Sequence, residues 1–283
     1  MKSWARWKKL GVVCGRLGCL ALLGCLAAGC GSQTYQQRLD ETELRFRYLA
    51  KLDANLDTKW SHPEGLFDVR VPLQFEESLA PPKPKLDEEG NPIEPDEPVV
   101  DPRQPKFLDV ELPGLVAAWK GKVELASGKK AKLAPCYMYV LSNHDLWKEN
   151  QQSEARSFST DVSELLFSAL GKELPLPDQW DTPRYPVAKG YVKQKNFASP
   201  ATPPDKVIDG VATNFSLFLY HAGKEFEGGV RAVQVAVLFV IPNEIDSRRE
   251  QFDQRIPLCL ETLNVAEQLA VPTGNSSGRR PGI

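Results

Sequence analysis

The sequence predicts an α+β domain, a mainly antiparallel sheet covered by helices and preceded by an amphipathic N-terminal helix. Three observations predict it. The stretch NFSLFLYHAGKEFEGGVRAVQVAVLFVIP holds two limbs of alternating apolar residues, Phe215, Leu217 and Leu219 in the first and Val233, Val235, Val237, Phe239 and Ile241 in the second. Alternation with a period of two, across a glycine-containing connection at Gly223–Gly229, is the pattern of a long hairpin. A helical periodicity with proline inside it follows over Ser247–Leu263, and another with neither glycine nor proline runs over Tyr35–Leu56.

Taken in chain order, the first element is the stretch TYQQRLDETELRFRYLAKLDANLDTKW. Tyr35, Leu39, Phe46, Leu49, Leu52 and Leu56 recur at three-to-four spacing, which places them on one helical face. Tyr35, Leu39, Phe46, Leu49 and Leu56 are the candidate partner surface, if the stripe is not packed on its own domain. Packing on the body of the same domain is the first reading and a self-associating coiled coil the alternative, which fewer than four clean heptads speak against. His62-Pro63-Glu64-Gly65 reads as a turn. Val69, Val71, Leu73 and Phe75 then alternate with polar residues, and Pro72 among them predicts a strand at a sheet edge.

Residues 80–105 carry eight prolines and seven acidic side chains. Such a stretch buries too little apolar surface to offset its ordering entropy, which predicts an exposed, disordered loop inserted between two strands of one domain. Val116–Leu125 reads as a strand pair or bent strand turning near Gly121, and Pro135–Leu141 as a buried strand. Phe158–Gly171 reads as a helix capped at Thr160 or Asp161 and ended by Gly171. Leu174–Pro204 is expected to wrap the surface. In the hairpin's second limb the face made by Ala232, Gln234, Ala236, Leu238 and Val240 is also mostly apolar, which predicts a central strand covered on both sides. The helix over Ser247–Leu263, kinked at Pro257, is the expected cover. The expected organisation is a signal at 1–29, a lipidated N-terminus and helix at 30–60, one domain at 61–270, and a disordered tail at 271–283.

The N-terminus explains the first of these boundaries. Lys2, Arg6, Lys8 and Lys9 precede an uncharged run from Leu17 to Gly29, the layout of a secretory signal and too short to span a bilayer. Ala27-Ala28-Gly29 before Cys30 resembles the lipobox of bacterial lipoproteins, whose type II signal peptide ends at a cysteine that takes a diacylglyceryl group. The resemblance implies lipidation at Cys30. At the rival Cys25, bulky Leu23 stands where small residues are usual. An acylated Cys30 implies a cell-envelope location facing the periplasm or exterior, since two or more acyl chains hold a protein stably on a membrane. Residues 1–29 hold five of the 35 basic residues and none of the 37 acidic ones, so the remainder carries 30 basic against 37 acidic, a net charge of −7. That balance excludes nucleic acid as a partner, because phosphates are gripped by Lys and Arg. It leaves the covalent lipid as the link to the membrane, and an envelope protein as the expected partner.

A strand reading FDVRVPLQF, a much later AVQVAVLFVIPN strand and a helix around FDQRIPLCLETL resemble the PsbP-like α/β/α sandwich, in which helices cover both faces of an antiparallel sheet. That resemblance rests on element order and implies a non-enzymatic assembly or binding module. The lipobox followed by a charged helix is also similar to uncharacterised lipoproteins of planctomycete-type bacteria, a likeness that adds context and no activity.

The residues that carry chemistry are scattered. His62, His144 and His221 lie in three separate segments without metal-ligand spacing, so no metal and no cofactor is expected. Asn143-His144-Asp145 at a strand end reads first as a turn and cap. No Gly-x-Ser-x-Gly or Ser-x-x-Lys pattern stands in a context that supports acyl transfer, and the glycines form no phosphate-cradling run. Trp119, Tyr137, Tyr139, Trp147 and Trp180 suit a core better than a groove. After Cys30 only Cys136 and Cys259 remain; two separate buried thiols are the expected state and a bridge between them the alternative. The expected function is a non-enzymatic binding or scaffolding lipoprotein. The alternative is an envelope hydrolase or carbohydrate-active enzyme, which His144 facing a carboxylate in a cleft would favour.

Overall fold

A computed structural model describes residues 34–82, 100–126, 132–187, 192–222 and 232–266. Cys30 and its signal, residues 83–99 of the acidic loop, the hairpin connection at 223–231 and the tail lie outside these. The chain divides into two compact units, Met1–Ala54 and Asn55–Ile283.

The first unit contributes helix α1, residues 34–55. No glycine or proline interrupts it, and local pairs support it: Gln36 donates to Asp40, Gln37 to Glu41 and Arg47 to Glu43. The sequence carried this helix on to Leu56. The chain instead turns extended there, and Leu56, 1 % exposed, opens the first strand of the second unit. Leu56 therefore belongs to the core of the second unit and not to the helical stripe.

In the second unit β1 (Leu56–Ser61) pairs with β2 (Phe67–Pro72) around the His62–Gly65 turn. The short β3 (Glu77–Leu79) pairs with β4 (Leu115–Leu125), so the acidic stretch is an insertion between two neighbouring strands of one sheet. Then come β5 (Lys132–Ser142), α2 (His144–Lys148) and α3 (Gln152–Ala169). Two short ladders follow, formed by β6 (Trp180–Asp181) with β9 (Ser199–Pro200) and by β7 (Arg184–Tyr185) with β8 (Lys195–Asn196). The chain continues through β10 (Asp205–Ile208), β11 (Val211–Ala222) and β12 (Val233–Pro242). It ends in α4 (Ser247–Glu250), α5 (Phe252–Thr262) and β13 (Asn264–Val265).

The main sheet has the order β10-β11-β12-β5-β4-β3, antiparallel throughout. β12 is buried along its whole length, as two apolar faces require. Its register places Leu217, Leu238, Tyr139 and Ala118 in one row across four strands, on the face that α3 covers through Phe158, Val162 and Leu166. The opposite face holds Phe239, Met138 and Trp119 in a row. There Phe75 bridges from Phe239 to Phe252 of α5, and Trp60 of β1 meets Trp119 at 5.5 Å. A small sheet, β1-β2-β13, and α5, which packs on β2, complete that layer. The fold is α+β with helices over a mainly antiparallel sheet.

Several expectations need correction. β2 is the central strand of its small sheet and not an edge; Pro72 is accommodated because it ends the strand. Gly121 lies within continuous β4, paired with Cys136, and makes no turn. α3 starts at Gln152, six residues before Phe158, so Thr160 and Asp161 lie inside the helix, where Asp161 accepts from Ser157. Gly171 ends it as expected, at φ +65°. The break in the last helix falls at Gln251 (φ +50°), between α4 and α5, and Pro257 stays inside α5. Residues 100–105 are held in place: Arg103 pairs with Asp101 and donates to the Val116 carbonyl, and Gln104 exchanges two hydrogen bonds with Leu112. The 174–204 stretch does more than wrap the surface. Phe197 is fully buried, Ala198 extends the β11 ladder at Leu219, and Lys195 donates to the Glu261 carbonyl near the C-terminal end of α5.

Candidate functional site

The three histidines, distant in sequence, occupy two places in the second unit. β5 leaves the sheet at Ser142, and the next two residues, Asn143 and His144, point in different directions.

Asn143, 0 % exposed, joins strand to helix. Its Nδ2 donates to the Ala155 and Ala232 carbonyls (2.8 and 3.1 Å), and its Oδ1 accepts from the Gln234 amide (2.9 Å). Gln234 Oε1 accepts from the Ser159 amide and hydroxyl (2.9 and 2.8 Å), while its Nε2 donates to the Arg156 carbonyl. His221 Nε2 lies 3.0 Å from Ser159 Oγ. A serine beside a histidine invites a nucleophile reading, but this hydroxyl gives its proton to Gln234. The ring therefore serves as donor, not base. The group fixes α3 on the sheet.

His144 faces the other way, toward the β1–β2 turn. Its Nε2 lies 2.8 Å from Glu64 Oε2, and Lys148, one turn along α2, pairs with Glu64 Oε1. The Glu64 amide donates to His62 Nδ1 (3.1 Å), and the His62 and His144 rings stand edge to face at 5.9 Å. Lys148 and then His144 hydrogen-bond the Glu64 carboxylate and bring its pKa down to about 2. His62 is pushed below its ordinary value, first by burial and next by His144, while Lys148 adds to this and Glu64 and Asp145 oppose it. This meeting of a histidine with a carboxylate was invisible in the sequence.

Its chemistry is limited by which nitrogen is free. With Nε2 committed to Glu64, a general base would have to work through Nδ1, and that atom is buried without a hydrogen-bond partner. A cavity of about 380 Å³ lined by Asn214, Ser216, Asn243 and Asp253, and another of about 340 Å³ in the 100–111 loop, include none of the histidines. Among the described residues no group of three or more His, Cys, Asp or Glu side chains is placed to hold a metal ion. No family model, no curated protein and no solved structure matches this chain. The reading of its function therefore rests on its own residues.

The remaining candidates fall out simply. Cys136 and Cys259 are separate buried thiols; burial pushes Cys136 up to about 12 and Cys259 higher still, so neither is a nucleophile. Trp119, Tyr139 and Trp147 are core residues, and Tyr137 stacks on Tyr139 beneath Phe107, so the aromatics form no groove. On α1, Tyr35, Leu39, Phe46 and Leu49 are exposed.

The His62–Glu64–His144 contact has a measurable pH signature. A histidine whose pKa is lowered on folding binds its proton more readily in the unfolded chain, so stability falls as pH drops below 6.5. Glu64 acts lower: its contribution is full above 4.5 and is lost as pH falls through about 2. His62→Asn keeps an acceptor for the Glu64 amide and removes the titration. The variant is expected to lose less of its urea midpoint than the native chain between about pH 7 and about pH 5.5. An equal loss in both would count against the assignment to His62.

Proposed function

We propose that this chain is a lipid-anchored envelope protein that acts as a non-enzymatic binding or scaffolding module, with its α+β unit held at a membrane surface. The observation that carries the reading is the exposed apolar stripe of α1, with Tyr35 65 %, Leu39 44 %, Phe46 66 % and Leu49 38 % accessible. It begins five residues after the lipobox cysteine Cys30. Aromatic and leucine side chains left open in a row are a recognition surface more often than an accident of folding. No helix among the described residues is long and apolar enough to cross a membrane. Two acyl chains on Cys30 would hold the chain stably on a membrane without a spanning helix. The resemblance to PsbP-like modules points in the same direction.

Mass spectrometry of the N-terminal peptide is expected to find an acylated Cys30 as the first residue of the mature chain. In a flotation gradient the native protein should rise with vesicles, and Cys30→Ala should stay at the bottom. A mature chain beginning elsewhere, or a Cys30→Ala variant that still floats, would overturn the proposal. The competing reading is a hydrolase working through His144 and Glu64, for which the carboxylate is in place but neither cavity described above includes a histidine. His144-dependent turnover of an ester, glycoside or peptide would establish it and displace the scaffold.

A further inference from the structure

Four of the five exposed large apolar residues of α1, Tyr35, Leu39, Phe46 and Leu49, do not simply share a face; they keep a heptad. Tyr35, Leu39, Thr42, Phe46 and Leu49 follow steps of four, three, four and three, which places Leu39 and Phe46 at a positions and Tyr35, Thr42 and Leu49 at d positions. A period of 3.5 residues fits a second helix running alongside, whereas packing onto a sheet needs no such register. Thr42 adds no unsatisfied group to the seam, because its hydroxyl donates to the Arg38 carbonyl at 2.6 Å. Asp53 takes the next a position and ends the seam.

The flanking charges select the occupant and its direction. Arg38 and Arg45 fall at g positions, and Glu43 falls at an e position. In a parallel pair each g residue faces the e residue five places further along the other helix, so Arg38 meets Glu43 twice by symmetry. One carboxylate oxygen of Glu43 takes Arg47 of its own helix, which leaves Oε2 for the second chain. An antiparallel pair would instead set g against g and e against e, bringing Arg38 and Arg45 toward each other and Glu43 toward its own copy. The surface of α1 is also unsuited to lying on anionic lipid: it carries Arg38, Arg45, Arg47 and Lys51 against Asp40, Glu41, Glu43 and Asp53, with no basic excess.

We propose that α1 is a self-association element, in which two copies of this chain pair through parallel α1 helices along the Tyr35–Leu49 seam. This rests on the recognition role proposed for α1 and names its partner. A seam of about two heptads, with Thr42 polar in its middle, gives a weak dimer in solution. Anchoring both helices by their N-terminal ends to one membrane would impose the parallel orientation and raise the effective concentration.

The test is disulfide trapping of the full-length chain in membranes, with the unaltered protein as control for Cys136 and Cys259. Leu39→Cys and Phe46→Cys sit at a positions and should each give linked dimers on mild oxidation. Leu44→Cys, exposed but at the f position on the outer side, should remain monomeric. Arg38→Glu or Glu43→Arg alone should reduce Leu39→Cys linkage, and the double exchange should restore it. A variant that merely weakened the helix would not be rescued in this way. Linkage through Leu44→Cys as readily as through Leu39→Cys, or no linkage at Leu39 and Phe46, would overturn the proposal. Flotation of the same samples separates the two levels: a chain that floats but does not link keeps its anchor and loses only self-pairing.

Discussion

Asn143→Ala is expected to destabilise the second unit by about 3 kcal/mol, a fall in Tm of roughly 6–12 °C for a unit of this size. The residue is fully buried and joins three elements with one side chain. Removing its amide leaves the Gln234 N–H without its acceptor and takes away the side-chain donor to the Ala155 carbonyl of α3. Each group stranded in the interior costs about 1–3 kcal/mol, because no water replaces the lost partner. The Ala232 carbonyl is spared, since Trp147 Nε1 also donates to it at 3.0 Å. Asn143→Asp separates hydrogen bonding from volume. It preserves shape but turns a carboxylate oxygen toward the Ala155 and Ala232 carbonyls, so at neutral pH it should be at least as damaging as alanine. Thermal or urea unfolding measures both variants. A native-like midpoint for Asn143→Asp would show that the donor bonds contribute little, and the joint between β5, β12 and α3 would then have to rest on apolar packing alone.

The parts of this fold that were legible are those in which one physical pattern dominates a segment. β11 and β12 alternate over ten residues or more, and the apolar second face of β12 stated its central place directly. α3 was seen only from Phe158 onward, because its first turns are polar and exposed and their helical state is imposed by the packing of Ala155 and Phe158. The joint at Asn143 was missed for a different reason. Asn before His-Asp suits a turn on local grounds, and nothing local says that the same side chain is buried. One signal was present: Gln234 is the single strongly polar residue on an otherwise apolar face of a strand with no exposed position. A buried amide there demands partners, and Asn143, Ser159 and Arg156 supply them. The contact between Glu64 and His144 spans 80 residues and depends on how the β1–β2 turn meets α2, which no periodicity encodes. The end of α1 shows the same limit. Leu56 kept the helical spacing, yet burial in β1 decided its state.

Gly121→Ala is expected to be the other severe lesion, costing about 3 kcal/mol or more for the addition of one methyl group. β4 passes beneath the chain at Gln74 and Phe75 so closely that a Cβ on Gly121 would lie 1.7 Å from the Gln74 carbonyl oxygen, 2.7 Å from its carbon and 3.2 Å from the Phe75 Cα. All three are main-chain atoms, so no side-chain rotation relieves the clash; the Gln74–Phe75 backbone has to lift. That segment cannot lift alone. Gln74 Nε2 donates to the Glu250 carbonyl and to its carboxylate, and Glu250 in turn accepts from the Glu124 amide at 2.9 Å. Phe75 is wedged between Phe239 and Phe252, at 6.1 and 5.8 Å, and its withdrawal opens the face of the sheet beneath α5. Gly65→Ala makes the comparison. Its φ of +69° also disfavours a side chain, but nothing lies within 4 Å of the added carbon, so only the backbone term of about 1–2 kcal/mol remains. Urea unfolding should therefore rank Gly121→Ala well below Gly65→Ala. A second readout locates the damage. Cys136 lies opposite Gly121 in the β4–β5 register and is fully buried in the native fold. Lifting Gln74 and Phe75 should expose it, so a thiol reagent should modify Cys136 faster in Gly121→Ala than in Gly65→Ala under native conditions. Equal midpoints and equal labelling in the two variants would show that the Gln74–Phe75 chain moves freely, and the close crossing over β4 would then contribute nothing to stability.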